Sequence, residues 1–267
     1  IGEPSVHNLQ RGLEMGASHV LEPNDTRVVS ALAETLEGPG EACFISVVGA
    51  CGGVGASTLA TAIACAAAAQ GRSAALIDGD AAAGGIELIL GAEREQGLRW
   101  SELGVASGHV GLAELRSALP KKHGVDVLSF DRSGKSLDSA GPVLSTLRRG
   151  YDAVVADVPR HLDDLGAQLL GHSIATVLLV PMRLGGLAAA EHLIPRIAQL
   201  SGHVLVVGRP VRGGCDRHML EQRLGVPVLA QLPSERRTFT DVEHGLGPLK
   251  GAPKKVALEL LAAVGLV

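Results

Sequence analysis

Seven short apolar runs recur between residues 43 and 232, separated by stretches long enough for helices. They are CFISVVG (43–49), SAALID (73–78), VDVLSF (125–130), DAVVADV (152–158), IATVLLV (174–180), HVLVVG (203–208) and PVLAQL (227–232). Most are unbroken rather than alternating, as strands buried on both faces must be. Helices are expected at 57–70, 136–149, 184–200, 216–224 and 254–264. This rhythm narrows the fold to an α/β, doubly wound, mostly parallel sheet of about seven strands flanked by helices and joined by right-handed crossovers. Such sheets bind ligands at the carboxyl ends of their strands.

Composition agrees with that class and excludes others. Hydrophobic residues make up 46% of the chain and aromatic ones only 2%, which suits a core of Ala, Val and Leu between helices and sheet. The net charge of −4 argues against a nonspecific nucleic-acid binder. Cys43, Cys51, Cys65 and Cys215 form no C-x-x-C pair, and the ten histidines form no metal-ligand spacing. Cys43 and Cys65 fall in apolar patterns and read as small core residues. No segment has the roughly 20 apolar residues needed to span a membrane. With no leader pattern after Ile1, the expectation is a cytoplasmic protein that has lost its original N-terminus.

The first forty residues follow another pattern. GLEMGASHVLEPNDTRVVSALAETL reads as helix, short strand and helix, and a linker at 37–42 follows. It resembles the end of a response-regulator receiver domain, with Glu22 in place of the lysine before Pro23. Residues 1–36 are therefore expected to be the C-terminal remnant of an atypical receiver-like domain. An unrelated helical extension fits the same pattern.

The first run leads into GACGGVGASTLA, a glycine-rich turn and then a helix. Successive backbone N–H groups in such a turn converge on an anion, and the helix dipole adds to their pull. Gly52, Gly53 and Gly55 supply the bare backbone, with Val54 and Ala56 between and after them. Ser57 stands where a hydroxyl ligates Mg²⁺, and Thr58 follows it into the helix. Against G-x-x-x-x-G-K-[ST], Gly55 and Ser57 match, whereas Ala50 and Ala56 do not.

Gly49, Gly52 and Gly55 also spell G-x-x-G-x-x-G, and Asp78 ends the next strand as a ribose-binding acid would. An NAD(P)-dependent oxidoreductase is thus an alternative. It lacks a Tyr-x-x-x-Lys pair, because Tyr151 is followed four residues on by Val155. Carboxylates at other strand ends favour a Mg²⁺–nucleotide site. Asp78 and Asp80 close one strand in ALIDGD, and Asp157 closes another in VVADVP. Asp157 would hold the metal through water, and Asp78 and Asp80 would contact the metal shell or the attacking water.

Together these motifs resemble the MinD/ParA superfamily of ATPases with a deviant Walker A loop, Lys-Gly-Gly-x-Gly-Lys-[ST]. The likeness covers residues 43–267. LIDGDAAAGGIELILG, VPMRLGGLAAAEHLI and RLGVPVLAQLPSERRTFTDVEHGLGPL are similar to segments of its CpaE/TadZ-like branch. The resemblance implies ATP and Mg²⁺ as cofactors and residues 52–58 as the nucleotide-binding loop. It further implies Ser57 and Asp157 at the metal, Asp78 and Asp80 as the catalytic acids, and a homodimer. A spatial regulator of septum placement or polar machinery is the implied role, with protein partners there.

The chain departs from that family where its chemistry is concentrated. Cys51 replaces the lysine that reaches a partner's nucleotide, Ala56 the lysine on the β- and γ-phosphates, and Gly208 a frequent adenine-reading Asn. A charge-assisted hydrogen bond is worth about 1.5–3 kcal/mol, so weak ATP binding survives the loss at Ala56. A transition-state cation is worth roughly 10³–10⁵ in rate, so little or no hydrolysis is expected. Arg160, just past Asp157, is a candidate replacement cation, and Arg236 and Arg237 open a helix that lines the site, a partner surface or solvent. PKKVALELLAAVGLV is expected to pack on the sheet, leaving any membrane association peripheral. A nucleotide-independent localisation scaffold is the alternative function.

Overall fold

A computed structural model of the chain describes residues 42–103, 112–130 and 140–267. The chain divides after residue 40, and the expected receiver remnant and nearly all of the expected linker lie outside the described residues. Ala42, at the end of that linker, is buried and donates its N–H to Arg148 O at 2.8 Å.

Eight strands are described: β1 (Cys43–Gly49), β2 (Ala74–Asp78), β3 (Lys121–Lys122), β4 (Val125–Leu128), β5 (Ala153–Val158), β6 (Ala175–Pro181), β7 (His203–Arg209) and β8 (Val228–Gln231). The first five helices are α1 (Ala56–Ala69), α2 (Glu87–Leu90), α3 (Trp100–Leu103), α4 (Leu112–Ala118) and α5 (Gly141–Gly150). After them come α6 (Asp164–His172), α7 (Leu184–Leu200), α8 (Arg217–Leu224), α9 (Arg236–Glu243) and α10 (Gly251–Ala263).

The strands form one sheet in the order β3-β4-β2-β5-β1-β6-β7-β8. Every pairing is parallel except β3 with β4. β1 sits between β5 and β6, so the chain leaves it toward one edge and later returns to build the other. A crevice opens at such a reversal, above the carboxyl ends of the strands.

Each face of the sheet carries its own core. One joins Phe44, Val48, Val154 and Leu178 to α5, α6 and α7, with the fully buried Trp100. The other joins Ile45, Val47, Leu76 and Val155 to α1 and α10. Ala60, Ala64 and Ala67 of α1 are buried, which lets that helix lie close to the strands. Val256, Ala257, Leu260 and Leu261 of α10 join the same cluster, so the C-terminal helix is packed into the domain as expected.

The eighth strand is the one the apolar runs did not mark. Lys121 and Lys122 pair with Asp126 and Val125 across the turn His123–Gly124. Both turn residues have positive φ, 51° and 78°, as a two-residue primed hairpin turn requires. A polar two-residue strand carries no hydrophobic signal. Helix α6 was missed for another reason: Gly166 and Gly171 weaken its propensity. Packing of Leu169 and Leu170 and a cap in which Gly166 N–H donates to Asp163 Oδ1 at 2.8 Å hold it instead.

The single tyrosine has a structural place. Tyr151 precedes β5, at the end of the sheet opposite the glycine turn, and its hydroxyl donates to Asp126 Oδ2 at 2.5 Å. Lys121 Nζ reaches the other oxygen of Asp126 at 3.1 Å.

Candidate nucleotide-binding site

The turn between β1 and α1 needs its glycines where the chain bends back on itself. Gly53 has φ 70° and Gly55 φ 98°, left-handed conformations that strain any other residue. Gly52 and Gly53 are exposed, and a Cβ on either would meet nothing within 4 Å. Among the described residues, no oxygen accepts from the backbone N–H groups of residues 51–58. The turn therefore offers a row of free donors at the start of α1, whose first turn contains no acid. Val54 is buried beneath it, and Gly55, Ala56, Ser57 and Thr58 are half-buried.

The acids expected opposite the turn are brought together by strand register. Asp78 ends β2 beside Asp157 of β5, their Cα positions paired across the parallel ladder. Asp78 is 1% exposed, and both its oxygens are engaged, Oδ1 by Asp80 N–H and Oδ2 by Ile86 N–H, each at 3.0 Å. Burial pushes its pKa up to about 6, against the pull of those two donors. Asp157 is 8% exposed, and burial pushes its pKa up to about 7. Ser57 lies close enough to oppose that rise, while Asp78 and Asp80 add to it. Asp80 is half-buried, and its Oδ1 accepts from Ala82 N–H at 3.0 Å.

These positions sort the acids by what they can do. Asp78 is the anchor of the segment that runs from Gly79 to Ile86, because its carboxylate closes that loop. Asp80 is the more accessible of the pair. Ser57 and Asp157 present a hydroxyl and a carboxylate, the hard oxygen donors that Mg²⁺ prefers. Among the described residues, no group of three or more His, Cys, Asp or Glu side chains could hold a metal alone. A Mg²⁺ ion fits here with phosphate oxygens and water completing its shell, as is usual for that ion.

The cations are placed differently from expectation. Arg160 is exposed in the turn after β5, and Arg236 and Arg237 are exposed at the start of α9, where Arg237 faces Asp241 at 3.5 Å. The cation lying against the glycine turn is Arg209, at the end of β7: its Nη1 is 3.1 Å from where a Cβ on Gly55 would stand. Sequence reasoning stopped one residue short, at Gly208. That glycine is closely packed, since a Cβ there would come within 3.0 Å of Met182 Sδ. The available signal was a lone arginine at the carboxyl end of a core strand.

No protein-family model matches the chain. Two proteins of Mycobacterium tuberculosis, the uncharacterized proteins MT3760 and Rv3660c, are each 37% identical to it over 243 residues. That match takes in 87% of this chain and 68% of each relative. The chain belongs to the Rv3660c family. Solved structures show that the domain of this Rv3660c-family member has the MinD/ParA-like P-loop fold. A ParA family ATPase from Chlorobium tepidum superposes with a TM-score of 0.71 at 15% identity, covering 83% of this chain and 98% of that one. MinD of Pyrococcus horikoshii, complexed with Mg-ADP, gives 0.69 at 16%, covering 83% and 95%. MinD in the MinC:MinD cell division complex of Aquifex aeolicus gives 0.66 at 19%, covering 82% and 96%. Among the described residues, no helix is long and apolar enough to cross a membrane.

Proposed function

We propose that this domain binds ATP with Mg²⁺ weakly, hydrolyses it slowly or not at all, and uses the bound state as a switch. The observation that carries the reading is the proximity of Ser57 to the buried Asp157 carboxyl, beside a turn of free backbone donors. The phosphate chain would lie on the N–H groups of residues 52–58. Ser57 and, through water, Asp157 would hold the metal, which when bound neutralises phosphate charge. Asp80 is the acid placed to reach the metal shell or a water, with Asp78 fixing the loop that carries it. Ala56 and Cys51 remove the two family cations, so the site retains a binding cradle with little means of stabilising a transition state.

The biological role follows from likeness. The fold is shared with MinD and ParA proteins, one of them seated in a MinC:MinD cell division complex. The sequence resemblance runs to the CpaE/TadZ-like branch and to an actinobacterial septum-site-determining protein. The role we propose is therefore spatial regulation of septum placement or of polar machinery. It would act through protein partners and a homodimer, in the cytoplasm with recruitment to septum or pole. Residues 1–36 would be the receiver-like remnant and 43–267 the switch.

Equilibrium binding of labelled ATP, with Mg²⁺ and with EDTA, tests the switch. Saturable Mg²⁺-dependent binding that Asp157→Ala abolishes is the expected result. The absence of both lysines favours a second reading, a scaffold that acts without nucleotide. Failure of the wild type to bind at millimolar ATP would leave that scaffold as the surviving function.

A further inference from the structure

Arg209 is the one partly buried cation that lies against the glycine turn among the described residues. A Cβ on Gly55 would stand 3.1 Å from its Nη1 and 3.6 Å from its Cζ, so the guanidinium rests where only glycine leaves room. Its Nη2 donates to Ser234 Oγ at 3.1 Å, and its backbone oxygen accepts from Met182 N–H at 2.8 Å. The arginine is thus held at both ends, on a strand of the core sheet. Among the described residues, no Asp or Glu lies within ion-pair distance of it.

That arrangement is electrostatically incomplete. A guanidinium half-removed from water stands beside a row of free N–H donors and a helix N-terminus, all positive, with no counter-charge of its own. Burial draws its pKa below the ordinary arginine value, which marks a charge held partly out of water. A polyanion is the ligand that relieves this. Arginine suits phosphate better than lysine does, because its planar fork donates two parallel hydrogen bonds.

We infer that Arg209 binds the phosphate chain of the nucleotide, supplying from the end of β7 the positive charge that Ala56 no longer supplies from the loop. The inference rests on the nucleotide-binding reading above and names the residue that carries its charge. The cation has moved from the turn itself to a strand on the far side of β6, and Ser234 aims it.

The test is calorimetric titration of the purified chain with MgATP, MgADP and AMP. The proteins are wild type, Arg209→Ala, Arg209→Lys, and Arg209→Ala combined with Ala56→Lys. Arg209→Ala is expected to weaken MgATP binding roughly tenfold to a hundredfold, the loss that follows removal of one charge-assisted bond. AMP, with a single phosphate, should lose less. Arg209→Lys should retain part of the affinity, and Ala56→Lys should restore what Arg209→Ala loses. Arg212→Ala, an exposed arginine on the following turn, is the control and should bind as wild type. Thermal unfolding checks each fold, and Arg209→Gln replaces the alanine variant if that one does not fold.

Equal MgATP affinity in wild type and Arg209→Ala overturns the inference while leaving the nucleotide site intact. Tighter binding by Arg209→Ala also overturns it, since the guanidinium would then be an obstruction. If wild type binds no MgATP, the nucleotide reading fails first and this inference falls with it.

Discussion

Asp78 and Asp157 are register partners at the carboxyl ends of adjacent parallel strands, one with both oxygens held by backbone N–H groups and the other buried near Ser57. Two acids so close, both buried, cannot ionise independently. The first to be relieved of its charge gains most.

Asp157 therefore gives the free protein a pH-dependent stability of definite sign. Its pKa is raised from the ordinary 3.8 to about 7. Between those values the folded protein keeps a proton that the unfolded chain has lost. Stability from this group is thus full below 3.8 and declines as pH rises through about 7. Asp157→Asn removes the penalty. Melting temperatures without nucleotide should show the variant gaining on wild type from pH 5 to pH 8, and a gap independent of pH would contradict the assignment.

Asp78→Ala should cost stability most at low pH, because burial raises this group's pKa from 3.8 to about 6 and its contribution declines as pH rises through that value. It leaves the buried Ile86 N–H and the Asp80 N–H without an acceptor, and each such loss is worth about 1–3 kcal/mol. For a domain of this size a drop of several degrees in melting temperature follows, at about 2–4 °C per kcal/mol. Proteolysis should then open first within residues 79–86. A variant as stable as wild type would show that the loop is held by other means.

Introducing the two lysines of the MinD/ParA-type loop should raise nucleotide affinity and turnover if the turn holds phosphate. Ala56 is half-buried at the first position of α1, and Cys51 is half-buried in the turn, so both can carry a longer side chain. Ala56→Lys should tighten MgATP binding by about tenfold or more. Cys51→Lys combined with Ala56→Lys should raise phosphate release above the wild-type rate. A folded double variant that remains inert would mean that more than two charges has been lost.

Thiol chemistry offers a map of the site without mutation. Burial pushes Cys43 up to about 11 and Cys65 up to about 12, so both should resist iodoacetamide in the native protein. Cys51 and Cys215 are half-buried and should react. MgATP should slow labelling of Cys51 and leave Cys215 unchanged, read by peptide mass. Equal labelling of Cys51 with and without nucleotide would speak against phosphate in the turn.

Much of this was legible before any coordinates. Short continuous apolar runs bounded by turn residues suit strands covered on both faces, and Val47, Leu76 and Val155 lie fully buried in such strands. The glycine turn, Ser57 and the acids at strand ends could be placed at one edge of the sheet, because each residue's local backbone position is written beside it. What escaped was weakly patterned or remote. The two-residue strand at Lys121 has no apolar signal, and α6 contains two glycines yet is held by its cap and its neighbours.

By itself the sequence determined the layer architecture and the glycine turn after the first strand, with Cys51 and Ala56 rather than lysines in it, since these depend on periodicity and on neighbours along the chain. Tertiary structure alone decided that Asp78 spends its oxygens on a loop and that Arg209 lies against Gly55. Both depend on which strands stand side by side and on where side chains end in space, quantities that emerge only when the whole sheet has closed around its core.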